Sequence, residues 1–208
     1  MPKVSLTKIS EILGMSKSTV SKALNNYADV SPSTRKKVQD LAVKLNYKPN
    51  ISAQNLRSQE SKIIGLLIPE IVHYFFSTII SGVTETAENY GYSVIVTQSK
   101  DVYKSEIKQL EFLLNKNVDG ILLSLADNTI QFNHVKDVIY QGIPLVLYDR
   151  TSKLIDCNKV VIDDVKAAQM ATQHLIDTGC NKIAIIRNQF KSQGTIDRHK
   201  GFKKALLE

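Results

Sequence analysis

Lysine and hydroxyl side chains are closely spaced near the amino terminus of this 208-residue chain. Lys17 and Lys22 can donate hydrogen bonds to the O6 and N7 atoms of guanine, and Ser18 can donate or accept one. Short hydroxyl and amide side chains nearby have the length needed to reach DNA phosphates. These candidate phosphate contacts are Ser5, Ser16, Thr19, Ser21, Asn25, Ser31 and Thr34. The residue types predict a DNA-reading surface, and a small helical bundle with a polar surface is the alternative.

Three helices are predicted to position these side chains. Apolar residues recur at helical spacing over residues 6–13, and Gly14 can form the turn that follows. Ser16 can cap a second helix over residues 17–24, and Ser31 with Pro32 can begin a third. Two short helices joined by a turn containing glycine are typical of a helix-turn-helix, whose second helix lies in the major groove.

Positive charge is concentrated in the same part of the chain. Residues 1–60 contain ten lysines and arginines against four acids, a net charge of +6. The remaining residues contain 17 basic and 16 acidic side chains, a net charge of +1. This asymmetry favours a nucleic-acid-binding module joined to a second, nearly neutral one. A solvated basic surface is the alternative explanation.

Residues 49–59 are predicted to form a hinge. Pro49 interrupts helical geometry, and Asn50 can cap a new helix over residues 51–57 that is too short to be stable alone. Leu56 has no apparent core to join, and an apolar side chain in a basic hinge can act as a minor-groove wedge. Packing of Leu56 on its own domain is the alternative.

The rest of the chain alternates short β-rich runs with helical stretches. Strands are predicted over residues 63–68, 93–97, 120–125, 143–148, 160–162 and 183–186. Helices are predicted over residues 76–89, 105–114, 130–140 and 165–177, and from about residue 197 onwards. This alternation predicts an α/β fold with a parallel, doubly wound sheet.

Polar and aromatic residues follow several of these strands. Ligands of open parallel sheets bind outside the carboxyl ends of the strands, where residues 73–76, 98–101, 126–127, 149–150 and 187–189 lie. Arg198 begins the last predicted helix. This set of side chains predicts a site for a small polar ligand. The alternative for each residue is a solvated loop position or a helix cap.

Four motifs together resemble the LacI/GalR family of repressors. They are Met15-Ser-Lys-Ser-Thr-Val-Ser-Lys-Ala-Leu-Asn, Val30-Ser-Pro-Ser-Thr-Arg, Leu45-Asn-Tyr-Lys-Pro-Asn and Ile64-Gly-Leu-Leu-Ile-Pro. The resemblance implies that Lys17, Ser18 and Lys22 read bases and that Leu56 opens the minor groove. It also implies a homodimer on a palindromic operator and an effector, often a sugar, in a cleft between two lobes. The implied effector-binding residues are Phe75, Phe76, Asp149, Arg150 and Arg198.

The resemblance also suggests how the chain is divided. We expect a helix-turn-helix domain over residues 1–48, the hinge over 49–59 and a first sensor lobe over 60–159. The family's sensor resembles a periplasmic binding protein and is longer than the rest of this chain. We therefore expect residues 160–208 to form only the start of the second lobe, with its C-terminal part missing.

Other classes of protein are disfavoured by the sequence. The chain has no G-x-G-x-x-G, G-x-x-x-x-G-K-[ST], H-E-x-x-H or G-x-S-x-G motif, so we expect no enzyme, cofactor or metal site. Cys157 and Cys180 form no C-x-x-C pair and suit a reducing compartment. The amino terminus does not resemble a signal peptide, and no apolar run could span a membrane. A cytoplasmic protein is expected, which also argues against a transport receptor.

Overall fold

The computed structural model describes residues 4–48, 60–187 and 192–207, which belong to two units, residues 1–59 and residues 60–208. The first unit contains α1 (Leu6–Leu13), α2 (Lys17–Leu24) and α3 (Pro32–Lys44). A serine caps each helix, because Ser5, Ser16 and Ser31 each accept a hydrogen bond from the backbone N–H three residues later. Gly14 ends α1 at φ +62°, a conformation that glycine adopts without steric cost.

A small apolar core holds these helices together. Its buried members come from all three helices and from the loop before α3. They are Ile9, Val20, Ala23, Val30, Val38 and Ala42. This unit has the predicted helix-turn-helix arrangement. The predicted hinge helix over residues 51–57 and the wedge residue Leu56 lie outside the described residues.

A five-stranded parallel sheet forms the centre of the second unit, with strand order β2-β1-β3-β4-β5. The strands are β1 (Ile63–Ile68), β2 (Ser93–Gln98), β3 (Gly120–Leu123), β4 (Leu145–Tyr148) and β5 (Asn158–Val160). The helices are α4 (Tyr74–Asn89), α5 (Tyr103–Asn115), α6 (Asn133–Tyr140), α7 (Asp164–Asp177) and α8 (Gln193–Leu207). The order reverses between β1 and β3, so a ligand crevice is expected at their carboxyl ends. The predicted α/β parallel sheet is confirmed.

Both faces of the inner strands β1, β3 and β4 are largely buried, which explains why these strands read as continuous apolar runs. Along β1, Leu67 packs into a core to which α5 contributes Leu110 and Leu113 and α6 contributes Val135 and Val138. Leu66 and Ile68 point to the opposite face, where they pack with Phe76 of α4 and with Tyr148. The alternation of side chains along one strand therefore supplies two separate cores.

The structure differs from the prediction at residues 183–186, which form no strand among the described residues. A strand needs a hydrogen-bonded neighbour, and β5 is an edge of the described sheet that pairs only with β4. β5 itself begins two residues earlier than the predicted strand over 160–162, because Asn158 pairs with Val146. Other boundaries shift by a few residues, as when α4 begins at Tyr74.

Helices α7 and α8 pack closely against each other. Gly201 of α8 lies so near α7 that an added Cβ atom would stand 2.1 Å from the Val165 carbonyl oxygen. Thr172 of α7 and Ala205 of α8 are buried. No helix within the described ranges combines the length and apolarity needed to cross a membrane.

Candidate functional site

The first candidate surface surrounds α2. Ser18 and Lys22 are one helical turn apart, while Val20 and Ala23 on the same helix are buried in the core. Ser18 and Lys22 line a shallow hollow of about 250 Å³. Its other lining residues are Thr19, Asp29, Val30, Ser31 and Thr34. The structure thus brings together two predicted base-reading residues and three predicted phosphate contacts.

An ion pair that the sequence analysis missed occupies this hollow. The Lys22 ammonium donates a hydrogen bond to the Asp29 carboxylate. This bond is the main reason why the pKa of Asp29 lies below its usual value. The two residues are seven positions apart across a loop, so helical periodicity gives no signal for the contact. Lys17 is exposed but does not line the hollow.

Several predicted phosphate contacts also have a local structural role. Ser5, Ser16 and Ser31 are helix caps, and Asn25 Nδ2 donates to the Ser21 carbonyl oxygen at 2.8 Å. Ser5 uses its oxygen as an acceptor, so its hydroxyl proton can still be donated to a phosphate, whereas the Ser31 hydroxyl already donates to Thr34 Oγ1 at 2.8 Å. Capping and phosphate binding are therefore compatible for Ser5, while Ser31 would have to exchange its bond to Thr34 for one to a phosphate.

The second candidate site is a cavity of about 910 Å³ at the carboxyl ends of β1, β3 and β4, between the sheet and the α7–α8 pair. All five predicted effector-binding residues line it: Phe75, Phe76, Asp149, Arg150 and Arg198. Much of the opposite wall is apolar and is contributed by α7 and residues 183–186. The cavity thus has a charged side and an apolar side, as sites for small polar molecules with carbon frameworks often have.

Arg150 is the centre of the charged side. Its Nη1 atom contacts Asp101 Oδ1 and lies 3.5 Å from Asp127 Oδ1, and its Nε atom lies 4.0 Å from Asp149 Oδ2. The sequence placed Asp101 and Asp127 after strands but did not show that they converge on one guanidinium. These acidic neighbours hold Arg150 in place, and two of them, Asp127 and Asp149, also line the cavity.

Asp149 is held in an unusual position. Its φ angle is +55°, a left-handed conformation that aspartate and asparagine tolerate better than most residues. Burial raises its pKa above the usual value, and the nearby Arg150 and Arg198 only partly oppose this effect. A half-buried carboxyl group in a cleft, with a shifted pKa, is a common property of functional residues.

Arg198 lies on the α8 side of the cavity, where its Nε atom donates to Asp164 Oδ1 at 2.7 Å. Asp164 is the first residue of α7 and also lines the cavity. The sequence analysis did not single out Asp164, whose place in a first helical turn reads as ordinary helix stabilisation. The pair joins the first residue of α7 to the sixth residue of α8 at the rim of the site, because α8 begins at Gln193 and not at Arg198 as the sequence suggested.

The two phenylalanines have different environments. Phe76 is 3% exposed and packs with Leu66, Ile68 and Tyr148, so it is mainly a core residue. Phe75 is 52% exposed, and its ring meets that of Phe76 edge-on at 5.1 Å between centroids. Phe75 is therefore the aromatic side chain of this pair that is more available to a ligand.

Replacing Asp149 by asparagine is expected to stabilise the protein at pH 7. Because the folded-state pKa of Asp149 is raised, the folded state binds more protons than the unfolded state between pH 3.8 and that raised pKa. The free energy of unfolding therefore falls as the pH rises through this range. Asparagine cannot ionise, so it removes the free-energy cost of burying a charged carboxylate, and it tolerates the positive φ angle. Urea unfolding should show the variant more stable at pH 7 and a smaller difference at pH 3. A variant less stable than the original at both pH values would contradict the burial argument.

Two families match the chain. "Bacterial regulatory proteins, lacI family" matches residues 6–50, and "Periplasmic binding proteins and sugar binding domain of LacI family" matches residues 61–208. No group of three or more potential metal ligands occurs among the described residues.

Individual relatives agree with the family matches. The HTH-type transcriptional repressor PurR of Vibrio vulnificus (strain CMCP6) is 30% identical over 200 residues, covering 96% of this chain and 60% of the relative. The chain therefore spans about 60% of that relative's length.

Solved structures show the same fold. The lac repressor dimer bound to operator and the anti-inducer ONPF is 24% identical, with a TM-score of 0.83 over 99% of this chain and 62% of the other. A periplasmic binding protein/LacI transcriptional regulator from Alkaliphilus metalliredigens QYMF, complexed with D-xylulofuranose, is 29% identical. Its TM-score is 0.62 over 71% of this chain and 53% of the other. With a family match over most of its length, this chain belongs to the LacI family.

Proposed function

We propose that this chain acts in a transcriptional repressor that binds operator DNA through its first unit and a small effector through its second. The observation that carries the proposal is the combination of two sites in one chain. A hollow of DNA-compatible side chains surrounds α2, and a charged cleft lies at the switch point of a parallel sheet. The match to a relative named as a transcriptional repressor supports this function.

On the DNA side, Lys17, Ser18 and Lys22 are proposed to contact base edges in the major groove. The hydroxyl and amide groups around α2 are proposed to contact phosphates, and Leu56 is proposed to enter the minor groove. The lac repressor structure, of similar fold, is a dimer on its operator. We therefore propose a homodimer on a palindromic site, which would place two copies of α2 about one helical turn of DNA apart.

Selection from a random DNA library tests this part of the proposal. Repeated rounds of binding to the chain should enrich one sequence with two inverted half-sites. Sedimentation of the complex should then give two chains for each duplex. Enrichment of no sequence, or of a single isolated half-site bound by one chain, would contradict the operator-binding dimer.

Replacing Lys22 by alanine is expected to relax base preference at one position in each half-site. A good base contact contributes about 1–3 kcal/mol of discrimination. Binding to random duplex DNA should weaken much less, with a salt slope shallower by at most about one. Anisotropy titrations with the selected and random duplexes measure both effects. Equal losses on the two duplexes would make Lys22 a phosphate contact instead.

On the effector side, we propose a neutral sugar or sugar derivative. Carboxylates and guanidinium groups line the charged side, and the two kinds of group can accept from and donate to neighbouring hydroxyls. The three carboxylates of Asp127, Asp149 and Asp164 are matched by three guanidinium groups, those of Arg150, Arg187 and Arg198, so the site has no excess positive charge that would favour a strongly anionic ligand. A similar structure holds D-xylulofuranose, which is a sugar of this kind.

Calorimetry with neutral sugars and their phosphorylated forms tests the effector class. D-xylulose and related neutral sugars should release measurable heat, whereas their phosphates should bind more weakly. The Asp149→Asn variant should bind the same sugars at least tenfold more weakly, since it loses a charged acceptor worth about 1.5–3 kcal/mol. Preference for the phosphorylated forms would overturn the neutral-sugar proposal.

A further inference from the structure

A carboxylate stands within the proposed DNA-reading surface. Asp29 lines the hollow beside α2, and the other polar groups there are hydroxyls and the Lys22 ammonium. Its side chain is 54% exposed and that of Lys22 is 43% exposed, so both remain open to a ligand while paired. An acid in this position opposes phosphate binding by charge repulsion. Its presence therefore calls for a different role.

The loop that carries Asp29 is firmly attached to the helical core. Arg35 Nη2 donates to the carbonyl oxygens of Tyr27 at 2.8 Å and of Val30 at 3.3 Å. Gln39 Nε2 donates to Asn26 Oδ1 at 3.0 Å, and Val30 is buried. Because residues on both sides of Asp29 are fixed, the carboxylate is held opposite Lys22 instead of moving freely in solvent.

The paired groups match one particular base pair. In the major groove, guanine presents the acceptors O6 and N7, and cytosine presents the N4 amino donor. O6 and N4 are hydrogen-bonded to each other, so they are about 2.9 Å apart. That spacing is similar to the spacing of a hydrogen-bonded ammonium and carboxylate. Lys22 keeps two further N–H groups for guanine, and Asp29 keeps lone pairs for the cytosine amino group.

We propose that Asp29 is a specificity-determining residue that acts together with Lys22 to read a G·C base pair. This inference rests on the proposed DNA-binding function. The pair supplies donors for both guanine acceptors, N7 and O6, followed by an acceptor for cytosine N4, and G·C is the only base pair that presents two acceptors followed by a donor in that order. The carboxylate also partly neutralises Lys22 towards phosphates, which lowers affinity for DNA of random sequence. Both effects raise the ratio of the affinity for the specific site to the affinity for random DNA.

Asp29→Asn is the direct test, using the full chain and duplexes from random-library selection. The variant should bind a random duplex about threefold more tightly, with a salt slope steeper by up to about one, because one cation becomes free to meet a phosphate. Sites selected by the original chain should carry G·C at one position of each half-site. At that position, the ratio of affinities for G·C over the other base pairs should fall about five- to hundredfold in the variant.

Asp40→Asn is the matched control, since it makes the same charge change at an exposed position of α3. It should leave the base preference unchanged and raise random-duplex affinity less than Asp29→Asn. When Lys22 is already replaced by alanine, Asp29→Asn should change the affinity for the random duplex by a different factor than it does in the original chain. This loss of additivity is the signature of a coupled pair.

The outcomes separate this inference from the function on which it rests. If the original chain enriches no DNA sequence, the proposed DNA-binding function fails. If it enriches a site and Asp29→Asn keeps the same preference at every position, the function stands and the role of Asp29 is refuted. Equal gains from Asp29→Asn and Asp40→Asn would also refute it, because they would show a general effect of charge.

Discussion

Replacing Gly201 by alanine is expected to lower the free energy of unfolding of residues 60–208 by about 2–3 kcal/mol. The added Cβ atom would stand 2.1 Å from the Val165 carbonyl oxygen and 2.9 Å from the Gln169 backbone nitrogen. Both neighbours are helical backbone of α7, which cannot turn aside as a side chain can. Helices α7 and α8 must therefore separate, and the burial of Thr172 and Ala205 is reduced.

Gly82→Ala is the matched control for this substitution. Gly82 also lies within a helix, but an added Cβ atom there would have no neighbour within 4 Å beyond its own stretch of helix. Alanine favours helix over glycine by about 1 kcal/mol, so Gly82→Ala should stabilise the protein slightly. Urea unfolding followed by circular dichroism measures both variants. Opposite signs support the close approach of α7 and α8, and a stabilised Gly201→Ala variant would contradict it.

Exchange of backbone amide hydrogens should show which helices are loosened by Gly201→Ala. Hydrogen–deuterium exchange should speed up in peptides from α7 and α8, while β1 and β3 keep their protection. Arg198 lies about one turn before Gly201 and is paired with Asp164 on α7. Separation of the helices should therefore also weaken binding of any ligand that spans the cleft.

Features set by neighbouring residues were predictable from the sequence. Capping serines, a turn glycine and apolar spacing act within a few positions, so the three helices of the first unit were predicted close to their observed bounds. The parallel sheet was predictable because its strands are short apolar runs separated by helices. Residues 183–186 have the same composition as a strand but form none, since a strand depends on a neighbour that composition does not reveal.

The candidate sites were predictable in part for the same reason. Sheet topology brings residues after the strands together, so Asp149 and Arg150 could be placed near a cleft without a structure. The ion pairs could not be predicted. Arg198 and Asp164 are separated by 34 positions, and Lys22 meets Asp29 only because a loop folds back. Such contacts depend on the relative placement of elements, which periodicity does not contain.

Glu106 is the clearest residue that the sequence analysis passed over. Its side chain is fully buried, and its oxygens accept hydrogen bonds from the Ala126 backbone N–H at 2.5 Å and the Thr129 hydroxyl at 2.9 Å. His134 Nε2 lies 2.7 Å from Oε1, and the His134 ring meets Tyr103 edge-on. A signal was available, since Glu106, Leu110 and Leu113 share the buried face of α5 at helical spacing.

These contacts give Glu106 a role in shaping the cleft. Ala126 and Thr129 lie on either side of Asp127, which lines the cavity and contacts Arg150. One buried carboxyl group therefore connects α5 and α6 to the loop that follows β3. Asp127 N also donates to Asp101 Oδ1 at 3.3 Å, which fixes the loop from a second side.

Glu106→Ala is expected to destabilise residues 60–208 by about 3–5 kcal/mol, because it leaves the buried Ala126 amide and the partly buried Thr129 and His134 side chains without their partner. Glu106→Gln keeps the shape and one acceptor oxygen, so its loss should be smaller. Glu111→Ala, at an exposed position of the same helix, should change stability by less than about 0.5 kcal/mol. Urea unfolding ranks the three variants, and hydrogen exchange at Ala126 and Asp127 should increase only in the two Glu106 variants. If Glu106→Ala were no more destabilising than Glu111→Ala, the buried network would not be holding the cleft loop, and the Asp127–Arg150 contact would have to depend on Asp101 alone.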